Sequence, residues 1–281
     1  MVIASVFEGG NNMRVLVAYD GTLDSKTALR YGLEKIKQNG GDLFVLHVFN
    51  SNLFVDYDAI PEAKEIAQRE SSRYVKEAEM IIKEEGKGVK VNIIEEEGDP
   101  EKEIVSYAVQ ENIDIIISPP RYKSIVKKAP CRVSIIPGTI LIPLDNEDNS
   151  IMTIDQIVKE AKAMSSKVVL LGLVPIHIYG RWEKSEIDKI TEEITSVVKN
   201  LKKILIEQGV ETKEIIRSGY PDEEILKVAS ENPVSMIIFL TRGHKPSELN
   251  KAVTILLDES DRLKMPVLSL SENSKGNTKS L

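Results

Sequence analysis

Residues 14–20, Arg-Val-Leu-Val-Ala-Tyr-Asp, return 125 positions later as Thr-Ile-Leu-Ile-Pro-Leu-Asp at 139–145. The same offset carries Leu43–Phe49 onto Val168–Val174. An offset of 121 then carries Gly98–Ile104 onto Gly219–Ile225 and Asp114–Ile117 onto Ser235–Ile238, and Val133 meets Val267 at 134. A chain that repeats itself at such a period folds as two copies of one unit. The step from 121 to 134 gives the second copy about 13 extra residues between its fourth and fifth strands.

Within each copy apolar runs alternate with amphipathic ones. In the first, 14–20, 42–49, 89–97, 113–118 and 132–136 read as continuous apolar or β-branched strands, the pattern of strands buried on both faces. Between them, 24–38 sets Ala28, Leu29, Leu33 and Ile36 on one helical stripe, and 60–86 is a long Glu/Lys-rich amphipathic run. Residues 100–111 open with Pro100 in the first turn and repeat apolar groups at Ile104, Val105 and Ala108. The second copy predicts helices near 151–164, 183–208, 221–232 and 247–262. Alternation of this kind predicts an α/β fold: two doubly wound, five-stranded parallel-sheet domains in tandem, with right-handed crossovers. The predicted boundaries are a flexible leader at 1–12, domains at 13–137 and 138–270, and a disordered tail at 271–281, rich in Ser, Asn, Lys and Gly. Only Pro137 and Gly138 separate the copies, a joint that favours fixed docking over independent tumbling.

Charge and composition narrow the function classes. A formal net charge of −7 on 281 residues argues against nucleic acid or an anionic membrane as partner. Cys131 is the single cysteine, so an intrachain disulfide and an all-cysteine metal site are excluded and a reducing cytoplasm is the expected compartment. The apolar runs are strand-sized, far short of a membrane span.

In an open parallel sheet, ligands bind beyond the carboxyl ends of the strands, where strand order reverses. That rule puts Asp20-Gly21-Thr22 and Asp145-Asn146 at the rims of two crevices. The loops at 47–49 and 118–122 complete the first, and those at 173–175 and 240–244 the second. On the residues alone, Asp20 reads as a helix-start or turn acid.

Four landmarks in order make the first copy resemble the universal stress protein family: Val17-Ala-Tyr-Asp20-Gly-Thr22, Leu46-His-Val48, Gly98-Asp-Pro100 and Ala129-Pro-Cys131. The second copy keeps a weaker set, Ile142-Pro-Leu-Asp145, Gly219-Tyr-Pro221 and Met265-Pro-Val267. The resemblance spans roughly residues 13 to 270. It implies an adenine nucleotide alpha-hydrolase-like fold and an internal pseudo-dimer, with 132–136 and 265–270 at its interface and a further homodimer as an open alternative. It also implies adenine-side positions at Asp20 and Val48 with Ala18 nearby, and at Asp145 and Leu173 with Pro143 nearby.

Many members of that family hold ATP on a loop of the form Gly-x2-Gly-x9-Gly-Ser/Thr, in which backbone N–H groups reach the phosphates. The first copy breaks this pattern: Ser118-Pro-Pro-Arg-Tyr-Lys-Ser124 has no glycine, and two prolines remove two donors. In the second copy Leu240 and Val253 replace two of the glycines, Gly243 remains, and Thr254 falls at the hydroxyl. The resemblance therefore implies a non-enzymatic stress-response or signalling module with degenerate nucleotide loops, acting through contacts with an unidentified protein partner or through a weakly bound nucleotide. The alternative is an ATP- or AMP-binding protein using the second copy, with slow ATP hydrolysis. A flavoprotein or other adenine-dependent enzyme on a related fold is disfavoured, because the cofactor loops are missing.

The remaining chemistry-bearing residues read as structural. His47 ends a buried strand and reads as a hydrogen-bonded core histidine, while His177 and His244 lie in loops at no metal-ligand spacing. Cys131 reads as a small buried hydrophobe. Arg121, Lys123, Lys127, Lys128 and Arg132 read as a solvated basic face, and Glu95–Glu97 as a solvated acidic one. No Ser-His-Asp order or carboxylate pair points to catalysis. Titration calorimetry of residues 13–137 with ATP is expected to give no heat of binding, and micromolar affinity there would mean that other donors replace the lost loop.

Overall fold

The computed structural model describes residues 13–50, 61–146, 153–179, 183–241, 247–258 and 265–271, with side chains from residue 68 onward in the helix that begins at 61. The expected leader at 1–12, nearly all of the expected tail, Gly243 and His244 lie outside the described residues. The chain divides between Pro137 and Gly138 into two compact units.

The first unit runs β1 (Arg14–Tyr19), α1 (Leu23–Asn39), β2 (Asp42–Phe49), α2 (Pro61–Glu85), β3 (Lys90–Glu97), α3 (Pro100–Gln110), β4 (Ile115–Ser118), a 3-10 segment (Pro120–Lys127) and β5 (Arg132–Ile135). Its five strands are all parallel, in the order β3-β2-β1-β4-β5. Local chemistry sets the helix ends. Thr22 caps α1 by accepting from the Ser25 amide at 3.3 Å. Asp99 caps α3 by accepting from the Lys102 amide at 3.0 Å, with Pro100 in the first turn. Leu16, Ala18, Leu46, Ile104, Ala108, Ile116, Ile125 and Val133 fuse α3, the 3-10 segment and one sheet face into a core.

The second unit runs β6 (Thr139–Leu144), α4 (Ile154–Ala163), β7 (Lys167–Val174), a 3-10 turn (Ile176–Ile178), α5 (Lys184–Glu207), β8 (Thr212–Ser218), α6 (Pro221–Glu231), β9 (Val234–Thr241), α7 (Glu248–Asp258) and β10 (Val267–Ser271). Its strand order, β10-β9-β6-β7-β8, is the first order read from the other end. The extra residues have a visible use. Between β9 and β10 the second unit carries α7, where the first has only the 3-10 segment between β4 and β5. α7 then packs Leu249, Val253 and Leu256 into a core with Ile225 and Val228 of α6 and Phe239 of β9.

Two expectations need correction. The apolar pattern groups β3 with the doubly buried strands, yet at the sheet edge it is mostly half-buried or exposed, and Glu95–Glu97 face solvent. Its exposed residues are its polar ones, Lys90, Asn92 and Glu95–Glu97, and Val91, Ile93 and Ile94 are half-buried. Cys131 is in no disulfide and is only partly buried, packed at the margin of the core rather than inside it. Among the described residues no helix is long and apolar enough to cross a membrane.

Gly172 is a tight packing point of β7. A Cβ built there would lie 2.6 Å from Ile216 Cδ1 and 2.7 Å from Ile194 Cγ2, with Val198 at 3.1 Å. Helix α5 thus seats its branched side chains in the space that a side chain at 172 would take. Gly172→Val is expected to destabilise the second unit by about 1–3 kcal/mol through overpacking; urea unfolding followed by circular dichroism checks it.

Candidate functional site

In 3-2-1-4-5 order the chain leaves β1 toward β2 on one side and returns as β4 on the other, so the carboxyl ends of β1 and β4 flank the crevice. Asp20 follows β1 directly, with its side chain 7% exposed. Gly21, at φ +77, turns the chain away from the strand. One Asp20 oxygen accepts from the Thr22 amide at 3.0 Å and from the Thr22 hydroxyl at 2.5 Å. The other accepts from Arg121 Nη1 at 3.0 Å. Arg121 belongs to the segment after β4, and adjacency of β4 to β1 brings the two loops together.

Side chains of the first unit fill this crevice. The Arg121 guanidinium lies 5.5 Å from the centre of the Tyr122 ring. Tyr74 of α2 lies so close to Gly21 that a Cβ there would fall 2.1 Å from its Cδ1. Burial alone would raise the Asp20 pKa, but the Thr22 and Ser25 hydroxyls, the Thr22 amide and Arg121 outweigh it and hold the carboxyl below 3.8. The Tyr122 hydroxyl is pushed up to about 12, first by burial and then by the Asp20 charge beside it.

The second crevice holds a cavity of about 270 Å³. Asp145, Asn146, Leu173 and Pro175 line it from the ends of β6 and β7, Ile190 from α5, and Ser247, Glu248 and Leu249 from the start of α7. Ser247 opens α7 by accepting from the Asn250 amide at 3.1 Å. Glu248 receives Lys251 Nζ at 2.5 Å and His177 Nε2 at 3.1 Å. The Lys251 bond is the largest cause that holds its carboxyl below 4.5, and it prevails over burial with help from His177. His177 Nδ1 lies 3.3 Å from the Gly219 carbonyl, and its ring stacks on Tyr220 at 4.4 Å and 23°. His177 therefore ties the loops after β7 and β8 to the start of α7.

The expected site residues separate clearly. Asp145 and Leu173 line the cavity, while Pro143 is buried within β6 and is not among the residues lining it. Thr254 was expected at a phosphate; it sits exposed on α7, and its hydroxyl donates to the Asn250 carbonyl at 3.1 Å. It lies nearly two turns beyond Ser247, where α7 meets the cavity. Ala18 and Val48 are buried in the first core, and Asp20 is already bonded to Thr22 and Arg121. Arg121 was expected on a solvated face; its side chain is 59% exposed, but its guanidinium is paired with Asp20. His47 is the expected structural histidine, with Nδ1 2.9 Å from the Tyr19 carbonyl. Sequence reasoning missed His177, Ser247 and Glu248. The signal was their place in the turn after β7 and at the start of the helix after β9, both at the carboxyl end of the second sheet. Among the described residues no group of His, Cys, Asp and Glu is placed to hold a metal.

Comparison with known proteins gives two matches to one family model, described as the universal stress protein family, at residues 11–129 and 138–250. The chain is 34% identical over 86 residues to universal stress protein MJ0577 of Methanocaldococcus jannaschii, a match covering 30% of this chain and 53% of that relative. It thus spans about half the length of that curated relative. Among solved structures, a universal stress protein from Archaeoglobus fulgidus aligns at 17% identity and TM-score 0.43, over 93% of this chain and 97% of that one. An Arabidopsis thaliana universal stress family protein, solved with AMP bound, aligns at 21% identity and TM-score 0.36, over 44% of this chain and 90% of that one.

The depressed Asp20 carboxyl links stability to pH. Its contribution is complete above the unfolded value near 3.8 and is lost as pH falls through the lower folded value. Asp20→Asn is expected to cost about 1–3 kcal/mol at neutral pH and to flatten the acid limb of the stability curve. Urea unfolding of the first unit at pH 7 and at stepped pH below 5 measures both.

Proposed function

This chain belongs to the universal stress protein family, and we propose that it acts there as a non-enzymatic stress-response or signalling module whose working crevice is in the second domain. One observation carries this reading. The second crevice is a cavity of about 270 Å³ that Asp145 and Leu173 line at the carboxyl ends of the strands.

The ligand class that fits is an adenine nucleoside or nucleotide held by its base and sugar. Asp145 offers a carboxylate to sugar hydroxyls, and Leu173, Pro175, Ile190 and Leu249 offer apolar surface to a ring. The phosphate end is weak. A helix start ordinarily favours an anion, but the first turn of α7 already carries the Glu248 carboxylate on the cavity wall. Leu240 and Val253 stand where two glycines of the family loop would let the backbone approach. Base and sugar contacts then dominate, and the chain length of the phosphate matters little. The bound state would be read by a protein partner.

The test is competition of AMP and ATP against a fluorescent adenosine probe on the full chain. The two are expected to compete nearly equally, and Asp145→Ala is expected to abolish both. Glu248→Gln is expected to favour ATP roughly fivefold, because removing one like charge relieves about 1 kcal/mol of repulsion. A strong ATP preference in the unaltered chain, insensitive to Asp145→Ala, would move the site elsewhere.

A further inference from the structure

The contact between Arg121 and Asp20 has the parts of a ligand in its site. The Asp20 side chain is almost fully buried, with one oxygen accepting from Thr22, the other accepting from the guanidinium, and the Tyr122 hydroxyl also bonded to the carboxylate. Tyr122 supplies an aromatic ring near the planar cation, and Tyr74 closes the crevice over Gly21. Arg121 itself is 59% exposed, so its head docks while much of its side chain stays in water. It is not a core residue held in place by general packing.

We propose that the first crevice is a guanidinium-binding site filled in cis by Arg121. A carboxylate beside an aromatic ring selects a flat, weakly hydrated cation, which a guanidinium provides and an ammonium does not. The segment that delivers it is stiffened at its start. Pro119 and Pro120 fix two φ angles, and the Tyr122 amide closes a turn on the Pro119 carbonyl at 3.1 Å. The prolines that removed two phosphate donors thus hold the replacement ligand in register. A tethered group competes at an effective concentration of millimolar or more, so free guanidinium compounds at similar concentrations leave the intact site unmoved. The first domain is closed by an occupant as well as by a lost loop.

Chemical rescue on the full-length chain tests this. The variants are Arg121→Ala alone and Arg121→Ala with Asp20→Asn, and the probes are methylguanidinium and methylammonium chlorides at matched ionic strength. The readouts are the Asp20 carboxyl titration by carbon NMR and the unfolding temperature of the first domain. Arg121→Ala is expected to raise the Asp20 pKa and to lower that temperature by about 2–4 °C. Methylguanidinium is expected to reverse both changes saturably, with no effect on the double variant or the unaltered chain. Methylammonium is expected to do neither. The proposal is overturned if Arg121→Ala leaves the Asp20 titration unchanged, if methylammonium rescues equally, or if the double variant responds as the single one does. None of these outcomes bears on nucleotide binding at Asp145, which is read by its own competition experiment.

Discussion

Parallel pairing of β1 with both β2 and β4 is the constraint on which the first unit rests, and β6 repeats it with β7 and β9. A strand flanked by parallel neighbours on both sides has no free backbone edge, and helices must cover both its faces. Hence Val15, Leu16, Val17 and Ala18 are all fully buried, as are Ile140 and Ile142. The same pairing forces the chain to leave the central strand in one direction and return from the other. The gap between those two departures lies at the carboxyl end, directly above an acid in each copy: Asp20 and Asp145.

The two copies use that gap in opposite ways, and the cause is the segment that leaves the fourth strand of each. In the first unit a short, proline-led 3-10 segment stays near the rim and lays a guanidinium on the acid. In the second a full helix takes its place, and the start of that helix becomes a wall of a cavity. A difference in length between two otherwise similar connections therefore separates a filled crevice from a hollow one.

Much of this was legible in the sequence because it depends on repetition and period. The repeat fixed two units, the apolar runs fixed the strands, and Pro100 and Pro221 marked helix starts that the structure keeps. Asp145 and Leu173 were placed by the strand-end rule, which needs only topology. What escaped depends on side chains meeting across loops. Arg121 and Asp20 lie 101 positions apart, and His177 and Glu248 lie 71 apart. No local pattern encodes such encounters. The edge character of β3 escaped as well. Its Val91, Ile93 and Ile94 read as a strand core, but Lys90, Asn92 and Glu95–Glu97 around them all meet solvent. Thr254 was assigned from the family's spacing alone, which carries no information that α7 begins at Glu248 and that the hydroxyl bonds back to the Asn250 carbonyl.

The missing side chain at Gly172 reaches further than packing density. Ile194 rests in the space it leaves, and one helical turn earlier Ile190 hangs over the cavity that Leu173, the next residue of β7, lines from below. The height of α5 above the sheet is therefore set one residue away from the cavity floor, by an atom that is absent. A methyl group at 172 would act as a shim, tilting the roof without altering any residue that borders the hollow. The chamber's dimensions are governed from its foundation, so two relatives with identical linings would differ in what they admit if one of them had lost this glycine.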